Sequence, residues 1–454
     1  MKRTLFLNAK LKGAAGVTDL LVEDGVFSEI APGLGARYPE AERVDLGGKL
    51  TLPPYVEPHI HLNVYTAREP GAKNHSGTLF EGIQRWSETK GGMSGEEIKR
   101  RARIALRKQI LSGIQYVRTH VDVTDPNLTG LKAMLELREE VSDLVTMQII
   151  AFPQEGMYSF PGGDRLVEEA LKMGADVVGA IPHFEFTREF GLRSVKRAVE
   201  LAVKYGKLVD IHCDETDDEQ SRFLEELAAQ AYLGGIGELT TASHTCAMAS
   251  YNNAYTAKLF KLLKLAKLNF ISCPTENMHL QGRCDSYPKR RGVTRVPELL
   301  AEGLNVCFAQ DSISDPWYPL GSGNLMNILD AGLHACQLTS IEQIYGALDL
   351  ITVNGAKTLH IQDAYGIAPG RDANFIVLNA ADEFDAVCER ASVACSVRGE
   401  NSSSAVRAGR NRPGLLREEP LFSIGRARML LKSSCRTNAS SKSLASSPLI
   451  VLRR

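Results

Sequence analysis

Residues 51–63 read TLPPYVEPHIHLN, an apolar stretch that ends in two imidazoles one residue apart. Side chains alternate along a strand, so His59 and His61 project to one side while Ile60 faces the other. Two neutral imidazoles on one face supply half of a site for a zinc- or iron-type ion. A pair of ordinary histidines near a strand end would read the same way, so the neighbouring segments must decide.

Later apolar runs also end on single polar residues. His212 closes KLVDIH, His244 closes ELTTASH and Asp311 closes NVCFAQD, each run rich enough in β-formers to read as a strand. In a (β/α)8 barrel the C-terminal ends of several strands converge on one site. A ligand set of His59, His61, His212 and Asp311 leaves an open position for water, the mark of a catalytic rather than structural metal site.

Working outward, residues 1–50 read as short strands and turns, and from residue 51 strand-like runs alternate with amphipathic helical stretches such as 95–113 and 194–206. Strand ends fall near His59, His120, Phe152, Ile181, His212, His244, Cys273 and Asp311. That count predicts an α/β fold, a (β/α)8 TIM barrel over residues 51–369. The run GRDANFIVLNA, 370–380, reads as a strand returning to the N-terminal unit. Residues 1–50 plus 370–399 are therefore expected to form a small β-sandwich-like domain. Residues 400–454 are Ser-rich and basic, with too little organised apolar surface to offset ordering entropy, and are expected to be disordered.

A formal net charge of −1 over 454 residues, with no long basic face before residue 400, argues against nucleic acid or an acidic membrane as partner. A small molecule is expected instead. The nine cysteines lack CxxC spacing, as suits reduced thiols in a cytosolic enzyme. No adequate apolar leader core and no run of about 18 apolar residues is present, so the expected location is cytoplasmic.

The segments EPHIHL, SGTLFEGIQRW, RTHVDV, AFPQEG, GADVVGAIPHFEFTRE, IHCDETDDEQSRF, ASHTCAM and DPWYPLG together resemble the bacterial cytosine deaminases of the amidohydrolase superfamily. The resemblance runs in order from near the N-terminus to about Val397. It implies hydrolytic deamination of free cytosine, or of a C5-substituted cytosine such as 5-methylcytosine, to uracil or thymine plus ammonia. It further implies a pyrimidine base as the bound small molecule, a homo-oligomer, and one divalent ion per subunit, Fe2+ or Zn2+, on His59, His61, His212 and Asp311. No lysine ends the fourth strand at AIPHFE, so the bridging carbamylated lysine of binuclear relatives is missing.

By the same resemblance, Asp311 and His244 orient a water whose pKa a divalent cation lowers toward ~7. Glu215 protonates the ring nitrogen beside the attacked carbon and passes a proton to the departing amine. Gln154 reads the substrate carbonyl and ring NH, since a primary amide is both donor and acceptor. Trp317 and Phe152 either wall the flat ring or simply pack. His120 and His183 are expected in supporting hydrogen bonds, His279 in a loop over the pocket, and Asp214 and Asp217 as solvated loop carboxylates.

Departures from the family pattern cluster near the chemistry. Ser312 stands where a second aspartate is expected after Asp311, which removes a charge and opens space beside the ring for a C5 substituent. Asn63 replaces a common aspartate, and Cys273-Pro274-Thr275-Glu276 a more apolar Asn-Pro loop; both are expected to alter the rim. The competing readings are a cyclic-amide hydrolase or a deaminase of isocytosine or creatinine on the same barrel, and a metal-binding scaffold with an RNA-binding basic tail. The small zinc deaminases are set aside because their H-x-E and P-C-x-x-C signature is absent.

Overall fold

A computed structural model describes residues 3–66 and 72–399 of the chain. The expectation for residues 400–454 lies outside the described residues. The chain opens with β1 (Arg3–Leu11), β2 (Thr18–Glu23), β3 (Val26–Ala31), β4 (Glu42–Asp45) and β5 (Leu50–Leu52). Eight strands follow: β6 (Tyr55–Ile60), β7 (Ile114–Asp122), β8 (Thr146–Phe152), β9 (Val177–Ala180), β10 (Leu208–Cys213), β11 (Thr240–His244), β12 (Asn269–Ser272) and β13 (Asn305–Phe308). β14 (Phe375–Leu378) and β15 (Val393–Val397) complete the series.

β6 to β13 are parallel and pair in sequential order, with helices between them, which is the TIM barrel expected from the alternation. Strands covered on both faces need apolar side chains on both, and β9, VVGA, is buried at every position. The ring is drawn together between its last and first strands, where Asp311 N–H donates to the His59 carbonyl and His61 N–H to the Asp311 carbonyl. The ends of β6 and β13 thus meet at the metal-ligand candidates.

β6 carries an irregularity with a chemical cause. Its register against β7 shifts between Glu57 and Ile60, so Pro58 and His59 together oppose one residue of β7. Proline has no N–H to give the ladder and is accommodated at such bulges, which re-aim the residues beside them.

A second sheet takes strands from both ends of the described chain in the order β15-β14-β5-β1-β2-β3, with β4 beside β1. Phe6, Phe27 and Phe375 fill its core, the Phe6 and Phe375 rings meeting edge to face at 4.9 Å.

Local signals set the helix limits. The helix Gly95–Leu111 starts where Ser94 Oγ accepts from Glu97 N–H, and Arg188–Tyr205 stops at Gly206, whose φ of +62° suits glycine. Every cysteine among the described residues is a free thiol, and none of the described helices is long and apolar enough to cross a membrane.

Candidate active site

Two strand ends are turned into the barrel mouth by unusual backbone. His244 and Asp311 have φ of +68° and +67°, a left-handed conformation that costs a non-glycine residue of order 1–3 kcal/mol. Backbone hydrogen bonds hold them there: Asp311 to both His59 and His61, and Thr245 N–H to the Cys213 carbonyl at 2.9 Å.

The side chains then converge. His61 Nε2 lies 3.2 Å from His212 Nε2 and 3.5 Å from Asp311 Oδ1, and His59 Nε2 lies 3.4 Å from the same carboxylate oxygen. His244 joins the cluster with Nδ1 3.6 Å from Glu215 Oε1 and 3.8 Å from Asp311 Oδ2. One donor atom from each of His59, His212, His244 and Asp311 lies within 4.8 Å of the others.

Hydrogen bonding beneath the cluster prepares the ligands. Arg118 Nη1 donates to Asp210 Oδ2 at 3.1 Å with both side chains fully buried. Ser243 Oγ lies 2.6 Å from Asp210 Oδ1 and 3.0 Å from His59 Nδ1. A carboxylate paired with arginine only accepts, so the single Ser243 hydroxyl proton goes to Asp210, and the Ser243 oxygen accepts from His59 Nδ1–H. His59 Nε2 is left as a bare lone pair, buried and without a hydrogen-bond partner among the described residues. His120 Nε2 approaches the same Nδ1 at 3.1 Å, placing His120 behind His59 rather than in front of the cavity.

Burial keeps the His61, His212 and His244 rings neutral. It pulls His61 down to about 4 and holds His212 and His244 well below the usual imidazole range. Burial opposes ionisation of Asp311, and positive charge at His59 and His244 outweighs it and holds the group below the usual carboxylate range; with the rings neutral, a bound divalent ion would supply that charge. Neutral imidazoles with one ionised carboxylate are what a divalent ion binds, so the donor set fits a metal.

The cluster opens into a cavity at the barrel mouth. Glu215, Gln154, Ser312 and Trp317 line it alongside His61, His212 and Asp311. Burial, reinforced by the neighbouring Asp311 charge, raises the Glu215 carboxyl well above its ordinary range. Gln154 is buried, and its backbone N–H donates to Asp122 Oδ1 at 3.4 Å. Asp315 Oδ1 accepts from the backbone N–H of Trp317 at 3.0 Å, which anchors the loop that carries the indole. Gly82 lies under that ring, where a Cβ would come within 2.4 Å of it.

Several residues sit elsewhere than their sequence context suggests. Phe152 does not line the cavity; its ring stacks behind His212 at 4.2 Å and 21°, so it backs a ligand candidate. Asp214 is fully buried rather than solvated. It accepts from Ser221 Oγ, Phe223 N–H and Leu224 N–H, satisfying the open amides of the helix Phe223–Leu233. Asp217 is half-buried and accepts from Gly282 N–H at 2.7 Å. His279 lies on the helix Pro274–Leu280, against Tyr318, and not in a loop. His183 is half-buried in the turn Pro182–Phe184. Asn63 is buried, and Glu276 is a buried wall of the cavity rather than a rim residue.

Residues 42–400 match the Amidohydrolase family, and the chain belongs to it. Enzymes of this family are metal-dependent, in keeping with the His/His/His/Asp group at the strand ends.

Among solved structures, the chain is similar to the 5-methylcytosine deaminase of Klebsiella pneumoniae liganded with 5-fluorocytosine. The two are 51% identical with a TM-score of 0.85, over 87% of this chain and 95% of that one. It also resembles the N-isopropylammelide isopropyl amidohydrolase of Pseudomonas sp. (strain ADP), 28% identical over 79% of this chain and 86% of the relative. The pterin deaminase of Rhizobium rhizogenes is 26% identical over 80% of this chain and 82% of its own length.

Proposed function

We propose that this chain is a metal-dependent aminohydrolase that converts free cytosine or 5-methylcytosine to uracil or thymine and ammonia. The observation that carries this reading is the placement of Glu215, a buried carboxyl with a raised pKa, in the same cavity as the donor atoms of His61, His212 and Asp311. The similarity to the Klebsiella enzyme supports the substrate class. A single iron or zinc ion would be held by His59, His61, His212 and Asp311, and such an ion supplies the Lewis acidity that makes water nucleophilic near neutral pH.

The remaining work falls to the chain's own side chains. Asp311 and His244 accept the proton of the attacking water. Glu215 arrives protonated, gives its proton to the ring nitrogen beside the attacked carbon, takes up the proton of the hydroxyl now on that carbon as it becomes the carbonyl, and passes it to the leaving amine. Gln154 donates to the substrate carbonyl and accepts from the ring NH. Trp317 covers the ring face, and Ser312 leaves room for a C5 methyl.

The test is ammonia release from cytosine, 5-methylcytosine, isocytosine, creatinine and adenine-type bases by protein loaded separately with iron and with zinc. Turnover of the two cytosines is expected. Ring opening without ammonia, or turnover confined to the other compounds, would overturn the assignment.

A further inference from the structure

Glu276 has no place in the chemistry so far, yet it faces the substrate cavity. It is 1% exposed, and neither carboxylate oxygen makes a hydrogen bond of good geometry among the described residues, the Ser312 side chain being the donor nearest to it. A buried acceptor left unpaired costs free energy, and a site that carries one is completed by a ligand that donates to it. Pro274 at the helix start and Asn277, whose Nδ2 lies 3.2 Å from His244 Nδ1, hold this turn against the reacting groups.

Barrel order says which edge of the ligand Glu276 meets. Gln154 follows β8, the third barrel strand, and Glu276 follows β12, the seventh. In a ring of eight these strands stand opposite each other. A pyrimidine with its C2 carbonyl on Gln154 therefore turns its C4–C5 edge toward Glu276 and Ser312. That edge carries the exocyclic amine, the one N–H donor there.

We infer that Glu276 recognises the 4-amino group by accepting a hydrogen bond from its N–H, which makes it a determinant of amino-pyrimidine specificity. The inference rests on the deaminase reading above. A carboxyl group retains an acceptor oxygen whether or not it is ionised, so the contact is available in either state. Ser312 then serves the C5 substituent and Glu276 the amine, two neighbouring groups dividing one edge.

The experiment compares a ligand with the amine and one without it. Michaelis constants for cytosine and inhibition constants for pyrimidin-2-one, which lacks the 4-amino group, are measured for wild type, Glu276→Leu and Glu276→Gln. Glu276→Leu should raise KM for cytosine by about ten-fold or more, the scale of one buried hydrogen bond. Pyrimidin-2-one should bind as before, and Glu276→Gln, which keeps an acceptor oxygen, should recover most of the loss. Cytosine and pyrimidin-2-one weakening together, or neither changing, would overturn the role of Glu276. A wild type that binds cytosine without releasing ammonia would instead overturn the deaminase reading. The Glu276 comparison would then still be made by calorimetry.

Discussion

Asp311 donates its backbone N–H to the carbonyl of His59 at 2.9 Å, so the last and first barrel strands are joined at the two residues whose side chains meet at the metal site. Barrel closure and ligand placement are therefore one event. The left-handed backbone of Asp311 is held by that junction, and a chain that failed to close would also fail to assemble the donor set.

Ser243 is expected to act on the metal without touching it. Its oxygen accepts from His59 Nδ1–H and so leaves Nε2 free to ligate. Ser243→Ala should weaken metal affinity by about 10–100-fold, the usual effect of losing such a support. Competition against a chelator measures it. Unchanged affinity would mean that His120 alone fixes the His59 ring.

Glu215→Gln should keep the metal and lose turnover on the order of 10²-fold or more, because an amide of the same shape cannot carry the proton. Metal analysis alongside kcat separates the two effects. Near wild-type turnover in the fully metallated variant would remove Glu215 from the proton path.

Ser312→Asp should shift preference from 5-methylcytosine toward cytosine. The added carboxylate refills the space beside C5 and resists burial against a methyl group. One methyl-sized contact is worth roughly 1–3 kcal/mol, so the ratio of kcat/KM values for the two bases should change by about tens of fold. A ratio that stays put would show that Ser312 does not set C5 specificity.

Arg118→Met tests the foundation of the site. It strands Asp210 as an unpaired charge with no solvent access, and breaking a buried pair in this way costs about 3–5 kcal/mol. Urea denaturation should show a lowered midpoint with little change in slope. Pairing Arg118→Met with Asp210→Asn should recover part of the loss, since the buried charge is then gone.

Much of this architecture was legible in the linear order of residues. A run such as VVGAI has to be covered on both faces, and repeated runs of that kind separated by amphipathic helices leave few arrangements besides a barrel. The polar residues that close KLVDIH, ELTTASH and NVCFAQD stood out because they interrupt apolar runs at equivalent points, which is a local property. Burial of a particular carboxylate is not local. Asp214 and Glu276 both sit in polar segments, and only the folded chain shows that one caps a helix while the other faces the cavity unpaired. Phe152, adjacent to the site in sequence, was withdrawn behind His212 by packing that no periodicity encodes. Alternation along a strand is a property of the backbone, so the order of residues already assigned His59 and His61 to one face. Tertiary structure alone decided which of them meet, because opposition across a barrel, and the hydrogen-bond chain from Arg118 through Asp210 and Ser243 to His59, exist only once distant strands are brought together.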